Sequence, residues 1–200
     1  MTPTIAFSDL LSAARGGDPD ALDRLFARAA ERLQVYIRFR IGERLRRRIE
    51  SVDVLQETFV HACRDVAGFD PEGADDPERR FAQWLCRIAD RRILDLADRH
   101  GAARRAVGRE ERAVTEVLHR IQQSGHGPAT SVVRRDERLR LVEALEALDP
   151  DDRDVLLLRH FEGRTIDAIA ERTGRSPSAI RRTLGRVTAA LGRRLQESEA

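Results

Sequence analysis

The sequence predicts an all-α protein, two small helical domains joined by a flexible linker, the C-terminal one a four-helix unit ending in a helix-turn-helix. Apolar residues recur at spacings of three and four along most of the chain, and no segment shows the apolar/polar alternation of a half-buried strand. Glycine- and proline-containing breaks cut the helical pattern into pieces of ordinary helix length. Two hundred residues are enough for one domain or two small ones, and with 41% hydrophobic and 35% charged residues the helices must be amphipathic.

In chain order, Ser8 is placed to open a short apolar helix that Gly16-Gly17 ends. Asp18-Pro19 pairs a capping side chain with proline at the first helical position, where its missing N–H costs nothing. The long helix it opens carries Leu22, Leu25, Phe26, Ala29, Leu33, Tyr36 and Ile37 at helical spacing up to Gly42. A third helix starts near Ser51 with Leu55, Thr58, Phe59, Ala62 and Val66 inward, which leaves Asp53, Gln56, Glu57 and Arg64 outward. Gly68 and the acid- and proline-bearing run 69–80 read as a loop. The fourth helix runs from about Glu78 to His100, with Phe81, Trp84, Leu85, Ile88, Ile93 and Leu96 inward. Val107–Ile121 has the pattern of a weak helix, and 122–131, QQSGHGPATS, of a flexible connector. Arg135–Leu148 is amphipathic, and Asp149-Pro150 caps the next helix through Val155, Leu156, Leu158 and Phe161.

The stretch from Gly163 to Leu191 has the pattern of a helix-turn-helix. Thr165 can cap a short helix with Ile166, Ile169 and Ala170 on its apolar face, and Gly174 can take the positive φ needed just past its end. Ser176-Pro177 then restarts the helix, followed by Ile180, Leu184, Val187 and Leu191 at spacings of four, three and four. At about 100° per residue this stripe leaves Ser178, Arg182, Gly185 and Ala189 opposite, with Arg181 and Arg186 on the flanks. Two short helices joined by a tight glycine turn form the motif that places its second helix in the major groove. The candidate DNA contacts are therefore Arg175, Ser176, Ser178, Arg181, Arg182 and Arg186; the competing reading is a solvated arginine face.

The net charge of +2 conceals segregation by segment. Asp136–Asp154 holds eight acids against three arginines, whereas Glu171–Arg194 holds seven arginines against one glutamate. A second basic element, Arg79–Arg109, holds nine arginines against three aspartates. Trp84, the only tryptophan, falls on the apolar stripe of its helix and so belongs first to the core; stacking on an unpaired base is its second reading. All 36 basic residues are arginine, so position rather than mere presence carries the argument.

No secretory signal pattern opens the chain and no apolar run of 18 residues occurs, so a cytoplasmic protein without membrane insertion is expected. Cys63 and Cys86, on separate helical patterns, read as small core residues rather than a disulfide. His61 lies near Cys63 but lacks further ligands at metal spacing. The other histidines are scattered, and the aspartates of 149–154 read as a cap followed by acids favourable at a helix N-terminus. Neither metal, cofactor nor catalytic activity is expected.

Residues 53–69, DVLQETFVHACRDVAGF, followed by 80–100, RFAQWLCRIADRRILDLADRH, resemble region 2 of bacterial RNA polymerase sigma factors of the extracytoplasmic-function type, in the sigma-70 family. Residues 144–187 resemble their region 4. The resemblance implies a first domain over 1–105, a linker over 106–134 and a second domain over 135–200. It implies that Asp53, Gln56 and Glu57 face the clamp of core RNA polymerase. It further implies that Arg80, Trp84, Arg87, Arg91, Arg92 and Arg99 serve a −10 promoter element held as single strand, while the helix-turn-helix reads a −35 element as duplex. Promoter DNA and core polymerase are the implied partners, and an anti-sigma protein is a further partner that a separate chain could supply. The alternative is a conventional helix-turn-helix regulator acting without polymerase, which predicts a symmetric operator and DNA binding by the isolated protein.

Overall fold

A capping side chain followed by proline starts four of the helices in this computed structural model, which describes residues 5–41, 50–102 and 138–197, without the side chains of 98–102 and 197. Helix α1 is Phe7–Arg15, α2 Pro19–Arg40, α3 Ser51–Asp65 and α4 Pro77–Ala102. Helix α5 covers 138–146, α6 is Pro150–Leu156, α7 Ile166–Thr173 and α8 Pro177–Glu197. The cap oxygens of Asp18, Asp76, Asp149 and Ser176 accept from backbone N–H groups of Asp20, Arg79, Asp151 and Ala179 at 2.9, 2.9, 3.0 and 3.2 Å. Each bond satisfies one of the donors a helix start leaves without an intrahelical partner. Among the described residues there is no strand, so the all-α expectation holds.

Three boundaries differ from the sequence expectation. Helix α1 begins at Phe7 after Ala6, without a side-chain cap, and the Ser8 hydroxyl turns to Asp9 instead. Helix α4 begins at Pro77, because Asp76-Pro77 is itself a cap-proline pair. Helix α5 ends at 146, two residues before the expected Leu148. The acids between Phe69 and α4 build the loop: Asp70 accepts from the Glu72 N–H at 2.8 Å, Gly73 adopts φ 71°, and Asp76 caps α4. Gly42, the weak helix expected at Val107–Ile121 and the connector 122–131 lie outside the described residues.

The chain divides into two compact units, Met1–Gly125 and His126–Ala200. In the first, α2, α3 and α4 pack around an aromatic core. Phe26 stacks on Phe59 with ring centroids 4.6 Å apart, and Phe81 meets Phe26, Phe7, Phe69 and Trp84 at 5.3–6.2 Å. Arg40 of α2 and Asp90 of α4 form a nearly buried ion pair at 2.6 Å, with a second N–H on the same oxygen at 3.1 Å. In the second unit Val155, Leu158, Ile169, Ala170 and Ile180 form the core, with Ile166 and Leu184 packed at its edge. Between α6 and the turn before α7, Leu157–Phe161 forms a π turn, which buries Leu157, Leu158 and Phe161 together.

Candidate nucleic-acid interface

The helix-turn-helix forms as its residues dictate. The Thr165 hydroxyl accepts from the Ala168 N–H at 3.2 Å, and Gly174 takes φ 65° with the Arg175 N–H reaching back to the Ala170 carbonyl at 3.1 Å. That left-handed residue ends α7 and redirects the chain into Ser176-Pro177. Helix α8 buries Ile180, Thr183 and Val187 and half-buries Leu184 and Leu191. Ser178, Arg181, Arg182, Gly185, Arg186 and Ala189 are exposed. Helix periodicity therefore placed the outward face correctly, and burial of Thr183 is the addition.

Five of the candidate contacts are already engaged or free in distinct ways. The Ser176 hydroxyl is committed to capping α8 while remaining exposed. Arg175 is half-buried and donates to the Thr183 hydroxyl at 2.6 Å. Arg186 pairs with Asp152 of α6 at 2.7 Å. Arg181 and Arg182 have no ion-pair or hydrogen-bond partner for their side chains among the described residues, so their guanidinium groups keep every donor for a ligand.

In the first unit, spacings of four, three and four place Arg80, Trp84, Arg87 and Arg91 along one face of α4. Arg80 and Arg91 are exposed, Arg87 is half-buried, and Leu94 continues the row at 52% exposure. Trp84 is half-buried, its ring 5.2 Å from Phe69 and 5.5 Å from Phe81, so it is at once part of the aromatic core and open on one side. Arg92 is turned away from this row. It meets His61 of α3 at 3.0 Å and Asp95 at 2.7 Å. Arg99 lies on the same helix, with its side chain outside the described ones. Beside the loop, a cleft of about 490 Å³ is lined by Phe7, Leu11, Arg15, Pro71, Asp76 and Glu78, and Arg15 donates to the Phe69 carbonyl next to it.

The expected polymerase-facing residues lie on α3. Asp53 is exposed, and its carboxylate accepts from the Glu50 N–H at 3.3 Å in a capping box. Gln56 and Glu57 are half-buried rather than fully outward. Val52, beside Asp53 and off the apolar stripe, is 48% exposed. Cys86 is buried and Cys63 half-buried, both as free thiols, and burial pushes the Cys63 thiol above its ordinary value. That shift argues against a reactive thiolate.

Two helical units, one ending in a helix-turn-helix with an arginine-bearing outer face and the other carrying a separate arginine row, define an all-helical DNA-binding protein. Residues 26–103 match the family model for sigma-70 region 2, and residues 138–191 the model for sigma-70, region 4. The chain is 30% identical over 192 residues to RNA polymerase sigma factor CnrH of Cupriavidus metallidurans, covering 96% of this chain and 95% of that one. It is 31% identical over 170 residues to RNA polymerase sigma factor CarQ of Myxococcus xanthus, covering 84% of each. ECF RNA polymerase sigma factor BldN of Streptomyces coelicolor is 27% identical over 189 residues, 94% of this chain and 66% of BldN. A solved structure of CnrH in complex with the cytosolic domain of CnrY has a TM-score of 0.42 and 26% identity, over 96% of this chain and 97% of that one. The chain belongs to the sigma-70 family of RNA polymerase sigma factors, among those of the extracytoplasmic-function type. It is a promoter-directing subunit that binds core RNA polymerase and promoter DNA. Among the described residues no helix is long and apolar enough to cross a membrane.

Proposed function

We propose that this sigma factor reads its promoter in two chemically different ways, with a first domain over 1–105, a linker over 106–134 and a second domain over 135–200. Helix α8 enters the major groove of the −35 element, with Ser178, Arg181 and Arg182 toward base edges and phosphates. The observation that carries this reading is the outward face of α8: two arginines without partners among the described residues beside small side chains, following a turn that Gly174 sets. Arg175 and Arg186 act beside them, and Ser176 contributes chiefly as a cap whose exposed hydroxyl can also meet a phosphate.

The α4 row of Arg80, Arg87 and Arg91 holds the −10 strand by its phosphates, and the open side of Trp84 stacks on an unpaired base. Arg92 supports this surface from its place against His61 and Asp95 rather than from the row itself, and Arg99 extends the basic charge along α4. The cleft beside Pro71 and Asp76 is large enough to admit a base, and its carboxylates can accept hydrogen bonds from an exocyclic amino group. Asp53, Gln56 and Glu57, with the exposed Val52, face the polymerase clamp. The protein acts in the cytoplasm, without catalytic activity of its own and without a cofactor.

Run-off transcription with core polymerase tests the division of labour. On the native promoter, Arg182→Ala and Arg91→Ala should each lower initiation about five- to hundredfold, the range of one base or backbone contact. On a template with a scrambled −35 element, Arg182→Ala should cause no further loss while Arg91→Ala still does. Equal sensitivity of the two variants to that template would refute the assignment of α8 to the −35 element.

A further inference from the structure

Helix geometry separates Arg186 from the other exposed arginines of α8. Arg182 lies opposite the stripe of buried Ile180 and half-buried Leu184, without a side-chain partner among the described residues. Arg186 lies on its flank, about 60° around the helix from the buried Thr183. That position brings its guanidinium to the seam where α6 packs on α8. There Asp152, only 8% exposed, puts Oδ2 2.7 Å from one terminal nitrogen of Arg186, whose side chain is still 66% exposed.

The pair is asymmetric in a way that bears on DNA reading. Asp152 is short and almost fully buried and has little freedom, whereas an unpaired arginine samples many rotamers. One terminal nitrogen of Arg186 is therefore paired with a buried carboxylate, while most of the planar side chain stays exposed to solvent. The carboxylate also offsets part of the charge that would otherwise attract any phosphate. Free arginines raise affinity for every sequence alike, because the phosphate term carries no sequence information. A fixed and partly neutralised arginine gains its contact only when the base-reading side chains have set the helix in register.

We propose that Asp152 is a positioning residue for upstream-element recognition: it holds Arg186 in one orientation and so raises discrimination between matched and unmatched DNA. This rests on the reading of α8 as the −35 contact. It assigns to an acid of α6, a helix that otherwise supplies core, a part in specificity.

The test uses the full chain assembled with core polymerase and two promoter duplexes, one carrying the native upstream element and one with that element scrambled. Affinity for each is measured over a series of salt concentrations. Asp152→Asn keeps the shape and removes the charge; it should lower the matched-to-scrambled affinity ratio about two- to tenfold, the cost of ordering one rotamer-rich side chain at binding. Affinity for the scrambled duplex should be unchanged or higher. In an Arg186→Gln background the same substitution should leave the ratio where it is. Urea unfolding of each variant is followed in parallel, and Asp152→Ser replaces Asp152→Asn if the latter folds poorly. A ratio unchanged in Asp152→Asn, or a loss that persists without Arg186, overturns the positioning role. If Arg182→Ala and Arg186→Gln both leave the ratio untouched, the −35 reading of α8 falls first, and the role of Asp152 with it.

Discussion

His61 shows how one side chain can tie an internal contact to pH. Its pKa lies below the ordinary histidine value, first because burial penalises the charged ring and then because Arg92 and Arg64 stand nearby; Glu57 and Asp65 oppose the shift less strongly. Arg92 meets the ring at 3.0 Å, so the folded protein favours a neutral imidazole that accepts from the guanidinium. In the unfolded chain the ring titrates near its ordinary value, about 6.5. The unfolded state then binds more protons as pH falls below that value, and stability contributed by neutral His61 is lost from about pH 6.5 downward through the lowered folded pKa. Thermal unfolding of the wild type should therefore fall between pH 7.5 and 5 more steeply than that of His61→Gln, which keeps an acceptor for Arg92. Parallel curves for the two proteins would show that His61 does not titrate differently on folding. The Arg40–Asp90 pair contributes differently, joining α2 to α4 without leaving a charge unpaired in the interior.

At the scale of the element, α8 contains a residue its fold does not require. Gly185 is in the middle of the helix, and a Cβ there meets no atom within 4 Å. Glycine in a helix interior costs about 0.5–1 kcal/mol relative to alanine, so Gly185→Ala should stabilise the protein by that amount in urea unfolding. The same substitution should weaken binding of the holoenzyme to duplex carrying the upstream element, because the added methyl stands on the face beside Arg182 and Arg186. A more stable protein with undiminished promoter affinity would mean that DNA does not approach α8 at this point. Gly174 is the contrasting case, since its φ of 65° is what turns α7 into α8. Both glycines were visible in the sequence. Only the one at the turn could be interpreted there, because a positive φ has a sequence signature and an open helix face does not.

For the whole molecule, promoter choice depends on binding polymerase and DNA at the same time. Glu57→Arg places a cation on the polar side of α3, and it should weaken affinity for core polymerase about tenfold or more if this surface meets a complementary charge. Titration of labelled sigma factor with core enzyme measures this, with circular dichroism confirming the helical fold. Unchanged affinity in a folded variant would move the clamp contact off Glu57. Its half-buried position makes Val52 and Asp53, both exposed, the next residues to replace.

What the amino-acid order determined by itself was local or periodic: the all-helical class, helix starts such as Asp18-Pro19 and Asp149-Pro150, the Gly174 turn, the buried stripe of α8 and its outward arginines. These depend on backbone preferences and a 3.6-residue repeat, which act over a few neighbouring positions. Only the tertiary structure decided which arginines are already occupied. Arg92 belongs to the same basic run as Arg91 but is turned toward His61, and Arg186 resembles Arg182 in sequence but reaches Asp152, more than thirty positions away. Such pairings depend on which helices pack together and on the azimuth of each side chain at the contact. A difference of about 100° per residue is enough to turn a candidate DNA contact into an internal ion pair.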